Sequence, residues 1–150
     1  MTKHFPNGWA ILRGALIFCP SQVQLPITRE QLAKASEERW PKCVSIRFGE
    51  NSTTKVAIGV QAQGEDFFML NLYEDGQLIG MDSTPELTVR NAAWVRSLMP
   101  EDAPRIVVSD KSFSLHAELP YGVTPEEIAA TLVDHRVEGW DTDDPDFSSW

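Results

Sequence analysis

Residues 44–82 change side at every second position, and that one pattern commits the chain to a fold built around a sheet. Val44, Ile46 and Phe48 alternate with Ser45 and Arg47, and Val56, Ile58 and Val60 alternate with Ala57, Gly59 and Gln61. A period of two is the side-chain repeat of a half-buried strand, whereas a helix needs apolar residues three and four apart. In DFFMLNLY, next in the chain, Phe68, Leu70 and Leu72 lie on one face and Phe67, Met69, Asn71 and Tyr73 on the other. It reads as a strand that is central or covered on both sides. Asp75-Gly76 supplies the positive backbone angles of a two-residue hairpin and returns the chain through QLIGM as a fourth strand. Such short turns imply antiparallel pairing.

Helices stand on either side of this block. In ITREQL, Thr28 and Gln31 have the spacing of a capping box, and Ile27 and Leu32 that of a hydrophobic staple, which predicts a helix Arg29–Arg39 that stops before Pro41. VTPEEI repeats the logic: Thr124 caps, Pro125 takes the first helical position, Glu127 closes the box and Val123 can staple to Ile128. That helix is predicted to run through Ile128, Ala129, Leu132 and Val133 and to end near Gly139. A middle helix is marked by Leu87, Asn91, Trp94, Val95 and Leu98, with several possible caps in STPELT and a stop at Pro100. RIVVS and FSLHAEL, separated by Asp110 and Lys111, read as a second hairpin with Phe113, Leu115, Ala117 and Leu119 facing inward. The N-terminal apolar run WAILRGALIFC, residues 9–19, reads as a buried strand or strand pair. The whole predicts one α+β domain over residues 1–150, with a mainly antiparallel sheet of about five to seven strands, three helices and an acidic tail at about residues 140–150.

Between Ile27 and Gly139 the order helix, strands, helix, two strands, helix resembles the type III secretion chaperone-like fold, including YbjN-type domains. The N-terminal apolar strand and the return strand after Asp75-Gly76 stand outside the simplest form of that pattern. The resemblance implies a partner-binding protein without catalytic residues, often dimeric, and assigns no site residue; a monomer or homodimer is expected here.

Thirteen Lys and Arg against 22 Asp and Glu leave a net charge of −9, which disfavours nucleic acid and anionic membrane and favours basic partners. A composition 42% hydrophobic and 23% charged excludes the signature of disorder. Cys19 and Cys43 are too few and too far apart for a disulfide scaffold or a zinc motif, which fits a reducing cytoplasm. Residues 9–19 contain Arg13 and fall short of a membrane span, and Ile17, Phe18 and Cys19 stand where a signal cleavage site needs small residues. The expectation is a cytoplasmic protein.

The candidates for chemistry each fail on spacing. Asp141 and Asp143 could take the first and third places of a calcium loop, but Pro145 takes the fifth and no glycine the sixth. His116-Ala117-Glu118 has the H-x-E of zinc deaminases without the P-C-x-x-C, and reads instead as an exposed pair on the outward face of a strand. His135 and Glu138 have the spacing of neighbours on one helix face. The two cysteines lie in apolar runs, where thiols are buried and inert. No catalytic residue, metal site or cofactor is expected.

The remaining signal is a binding surface. Asp134, Glu138, Asp141, Asp143, Asp144 and Asp146 are interleaved with Trp140, Phe147 and Trp150. Aromatic anchors among carboxylates suit a fast, tight contact with a cationic protein, although Trp140 and Phe147 could equally pack the tail onto the domain. The leading expectation is an immunity or antitoxin-like protein that masks the active site of a basic toxin. A secretion chaperone-like module holding a client polypeptide is the alternative, and a small enzyme without recognisable motifs is the third.

Overall fold

The computed structural model describes residues 12–49, 51–61, 67–73 and 77–147. Along the chain run β1 (Gly14–Phe18), α1 (Arg29–Arg39), β2 (Val44–Arg47), β3 (Thr54–Val60), β4 (Phe68–Tyr73) and β5 (Leu78–Asp82). Then come α2 (Pro85–Ser97), β6 (Val107–Ser109), β7 (Leu115–Glu118), α3 (Pro125–Ala130) and β8 (Val133–Asp134). The strands form one eight-stranded sheet in the order β2-β3-β4-β5-β1-β6-β7-β8, antiparallel at every pairing. The α+β class is as expected, with more strands than expected. The short β8 adds an edge, and β1, from the N-terminal apolar run, sits in the middle and joins the two strand groups. The Asp75-Gly76 turn lies outside the described residues, while Tyr73 and Leu78 on either side of it are paired.

Register puts the core on one face. Ile17 opposes Ile79, Ile79 opposes Leu72, Leu70 opposes Ile58, and Val108 opposes both Ile17 and Ala117. All are fully or almost fully buried, in one cluster with Leu32 of α1, Leu87, Ala92 and Val95 of α2, and Ile128 of α3. α1 lies against β2 and β3, α2 against β1 and α3, and α3 against β7. At about 25 cal/mol per Å² of apolar surface removed from water, each large core side chain contributes roughly 1.5–3 kcal/mol. Both expected capping boxes form, at Thr28 with Gln31 and at Thr124 with Glu127, and Thr84 caps α2. Buried Arg96 ties α2 to the end of β7, donating from Nε to the Leu119 carbonyl (2.8 Å) and from Nη1 to those of Met99 and Pro100.

Among the described residues, the other face of the sheet carries no helix. On it Tyr73 lies across Gly80, where an added Cβ would sit 2.9 Å from the ring, and Phe67 covers Gly59 in the same way. Edge strand β2 turns Val44 and Ile46 outward onto this face, 64% and 51% exposed. Its polar alternates Ser45 and Arg47 share the helix side with Ile58 and Val56. There Arg47 meets Glu30 at 2.7 Å and Glu37 at 3.2 Å, and Ser45 donates to Glu37 at 2.8 Å. The physical reason is position. β2 lies beyond the buried stripe of α1 (Leu32, Ala33, Ser36), so the polar flank of the helix overhangs it.

Two local expectations are corrected. α3 ends at Ala130 and does not reach Gly139, because the Thr131 hydroxyl bonds back to the Glu127 carbonyl and Val133 leaves to pair with His116. β-branched Thr131 and Val133 suit an extended backbone better than a helix. Phe113 does not face the core with Leu115 and Ala117: its backbone is left-handed, at φ 54°, which turns the ring toward the helix-free side.

Candidate functional site

The β6–β7 hairpin sets up the site. Burial alone would raise the Asp110 carboxyl, but hydrogen bonds from Ser114, Ser112 and the Leu115 amide outweigh it and hold the group below the usual carboxylate range. That clamp holds Phe113 in its strained conformation with its carbonyl toward His135, whose Nδ1 donates to it at 2.7 Å. His135 Nε2 lies 2.7 Å from Nδ1 of His116. His116 is 3% exposed, on the helix-free face but not at the surface where the H-x-E pattern places it. The tail covers it: Phe147 packs at 4.8 Å and Trp140 at 5.6 Å between ring centroids.

After β8 the chain makes successive turns, with backbone bonds from Val137 to Asp134, Trp140 to Val137, Thr142 to Gly139 and Asp144 to Asp141. Gly139, at φ 80°, occupies a left-handed position that glycine adopts without strain. The turns lay Trp140 flat on His135, with centroids 3.7 Å apart and planes at 12°. They also seat Phe147, 3% exposed, against Phe113 at 5.3 Å.

A cation fixes the end of this cover. Arg105 meets Glu118 at 2.6 Å, Asp144 at 2.8 Å and Asp146 at 2.9 Å, and its guanidinium lies 5.2 Å from the Phe147 ring centre. These partners raise the Arg105 pKa, Glu118 most and Asp144 next. Arg105 holds the Asp144 carboxyl far below the carboxylate range. Burial would raise Glu118, but Arg105 and His116 overcome it and bring it to about 2. His135 is lowered, first by burial and then by the charge of His116, against an opposing pull from the Phe113 carbonyl.

The expected binding residues therefore separate into groups. Asp144 and Asp146 are engaged with Arg105, Asp134 is buried and bonded to Arg136, and Phe147 is an inward anchor. These are integral parts of the cover. Glu138 and Asp143 are exposed, Asp141 and Trp140 are half-buried at the surface, and Trp150 lies outside the described residues. His135 and Glu138 do not share a helix face, since His135 follows β8. Arg105, His116, Glu118, Trp140, Asp143 and Asp144 line a shallow cleft of about 260 Å³. No cysteine lines it: Cys19 is buried after β1 and Cys43 half-buried before β2, and burial pushes both thiols up. The role of Arg105 is not legible in the sequence because its partners are remote in the chain; its one trace there is an isolated cation opening RIVVS.

Charge is segregated along the sheet. At the β2 edge, Arg29, Lys34, Arg39, Lys42 and Arg47 offset Glu30, Glu37 and Glu38. At the β8 edge, α3 and the tail add Glu126, Glu127, Glu138, Asp141 and Asp143 with few cations. Among the described residues no three or more His, Cys, Asp and Glu are grouped to hold a metal ion, and no helix is long and apolar enough to cross a membrane. Comparison with known proteins finds no matching family model, no matching curated protein and no matching solved structure.

Proposed function

We propose that this chain is a non-enzymatic protein-binding protein of the immunity kind, which neutralises a basic protein toxin by laying its acidic end over the toxin's active site. The observation that carries this reading is the segregation of charge: Glu138, Asp141 and Asp143 stand at the β8 end, beside half-buried Trp140 and outside the Arg105 network. Carboxylates not engaged within the fold steer a cationic partner, and an indole among them offers an anchor. The test is affinity capture from the native host with the full chain, alongside a Glu138→Gln/Asp141→Asn/Asp143→Asn variant. A basic protein should be retained by the native chain and lost from the variant, and its toxicity should be suppressed by co-expression. Equal capture by both chains, or no basic protein at all, sinks the proposal.

A second reading, a secretion chaperone-like module, is favoured by edge strand β2. Val44 and Ile46 are exposed there, and no described strand pairs on the outer side. An extended client could add a strand at that edge. A homodimer carrying a partly unfolded polypeptide would support this reading over the first.

A further inference from the structure

The contact between His116 and His135 fixes how many protons the two rings can hold. His135 Nδ1 must carry hydrogen, because the Phe113 carbonyl 2.7 Å away can only accept. One hydrogen lies between His135 Nε2 and His116 Nδ1, themselves 2.7 Å apart. The fourth nitrogen, His116 Nε2, faces the Glu118 carboxylate at 3.6 Å, which favours hydrogen there as well. Filled in this way the pair holds a single shared positive charge. A further proton has no place: it would set two N–H groups against each other across 2.7 Å in a buried site.

The pair also supports the cover. Trp140 rests on His135 and Phe147 on His116, so a ring displaced by repulsion takes its aromatic partner with it. The charged groups around the pair relieve that repulsion only in part: Asp110 and Asp134 favour charge on His135, but burial outweighs them. On β7, Glu118 faces the shared charge while bound to Arg105; in the hairpin, Asp110 keeps its charge as it accepts from the Ser112 hydroxyl and the Ser114 amide. On β8, Asp134 is bonded to Arg136, and in the tail Asp144 and Asp146 are bonded to Arg105.

We propose that the His116–His135 pair is an acid-sensitive latch: with at most one shared proton it holds residues 137–147 down on β6 and β7, and a second proton releases them. Release frees Asp144 and Asp146 from Arg105 and uncovers Phe113, which borders a groove of about 450 Å³ lined by Leu16, Phe18, Val23 and Leu78. Acid thereby exposes a larger apolar and acidic surface than the neutral form presents.

The experiment is amide hydrogen exchange of the full chain between pH 7.5 and pH 5, corrected for intrinsic rates. The reporters are Asp146 and Phe147, whose amides both donate to Asp144. Their protection should fall by about tenfold or more as the pair takes its second proton, while Ile79 and Met81 in the sheet stay protected. In His116→Gln the introduced amide oxygen can accept from a protonated His135, so the fall should disappear. Protection that stays flat in the native chain, or falls equally in the variant, overturns the latch. Should the variant not fold, imidazole ¹⁵N spectra of the native chain decide: rings that become doubly protonated while Phe147 stays protected overturn it, and simultaneous change upholds it.

Discussion

Arg105 and Asp144 meet at 2.8 Å although they stand 39 positions apart in the chain. The same guanidinium takes Glu118 and Asp146, so one cation before β6 binds a strand carboxylate and two from the tail. The C-terminal acids thus divide between structure and surface. Those turned inward cancel against Arg105 and make the cover; those turned outward set the sign of the protein's field at that edge.

Replacing Arg105 by Gln should loosen the cover before it affects the sheet. The side chain is 28% exposed, so its ion pairs are screened less than surface pairs but short of fully buried ones. We expect a loss of about 1–3 kcal/mol in urea unfolding, with amide protection lost first at Asp146 and Phe147. An unchanged urea midpoint would show that the network adds nothing.

The tail acids should respond unequally to neutralisation. Asp144→Asn removes an acceptor from Arg105 and weakens the acceptor for the Asp146 and Phe147 amides, a cost of about 1–2 kcal/mol. Asp141→Asn with Asp143→Asn should change stability by less than about 0.5 kcal/mol. That pair should instead slow association with a cationic partner, most visibly at low salt. Urea titration and stopped-flow association separate the two classes, and equal stability losses would contradict the division.

The acid limb of stability should have two stages. Asp144, Glu118 and Asp110 are all held below their ordinary values, so the stability they contribute is complete above about pH 4 and is lost as pH falls through their folded values. His135 is a base with a lowered value, so its contribution is complete above about pH 6.5 and declines below it. Thermal midpoints should therefore dip first below pH 6.5 and fall steeply below pH 4. Asp144→Asn should flatten the second stage only; if it flattens the first, the assignment to the histidine pair is wrong.

The fold was legible wherever the signal was local. Capping boxes at Thr28 and Thr124 are written in four residues, and the strands in their alternation, so α1 and β2 to β7 stood in the sequence. Placement between elements was not. Nothing local says that β1 inserts between β5 and β6, or that β2 takes an edge and turns Val44 and Ile46 to solvent. Periodicity identifies the two faces of a strand but leaves open which is covered. In the site, the tail's aromatics and acids were conspicuous, but the inward role of Phe147, Asp144 and Asp146 depends on Arg105, His116 and Phe113, brought to them only by the paired hairpin. Phe113 defied its alternation because the Asp110 clamp forces a backbone that aromatic residues rarely adopt.

The edge strand offers the sharpest contrast between folding and binding. Val44 and Ile46 are already more than half exposed, so replacing both by Thr, which keeps the β-branch, removes little buried area and should cost less than about 1 kcal/mol. Ile58→Ala, in the fully buried neighbour β3, should cost about 2–5 kcal/mol through lost contacts and the cavity left behind. Were the β2 edge a client-binding strand, the double Thr variant would keep its thermal midpoint and lose the client. If the acidic end alone engages the partner, the variant should bind as the native chain does, and only Glu138→Gln/Asp141→Asn/Asp143→Asn should weaken the complex. Titrating one captured partner against both variants therefore assigns the contact to one end of the sheet.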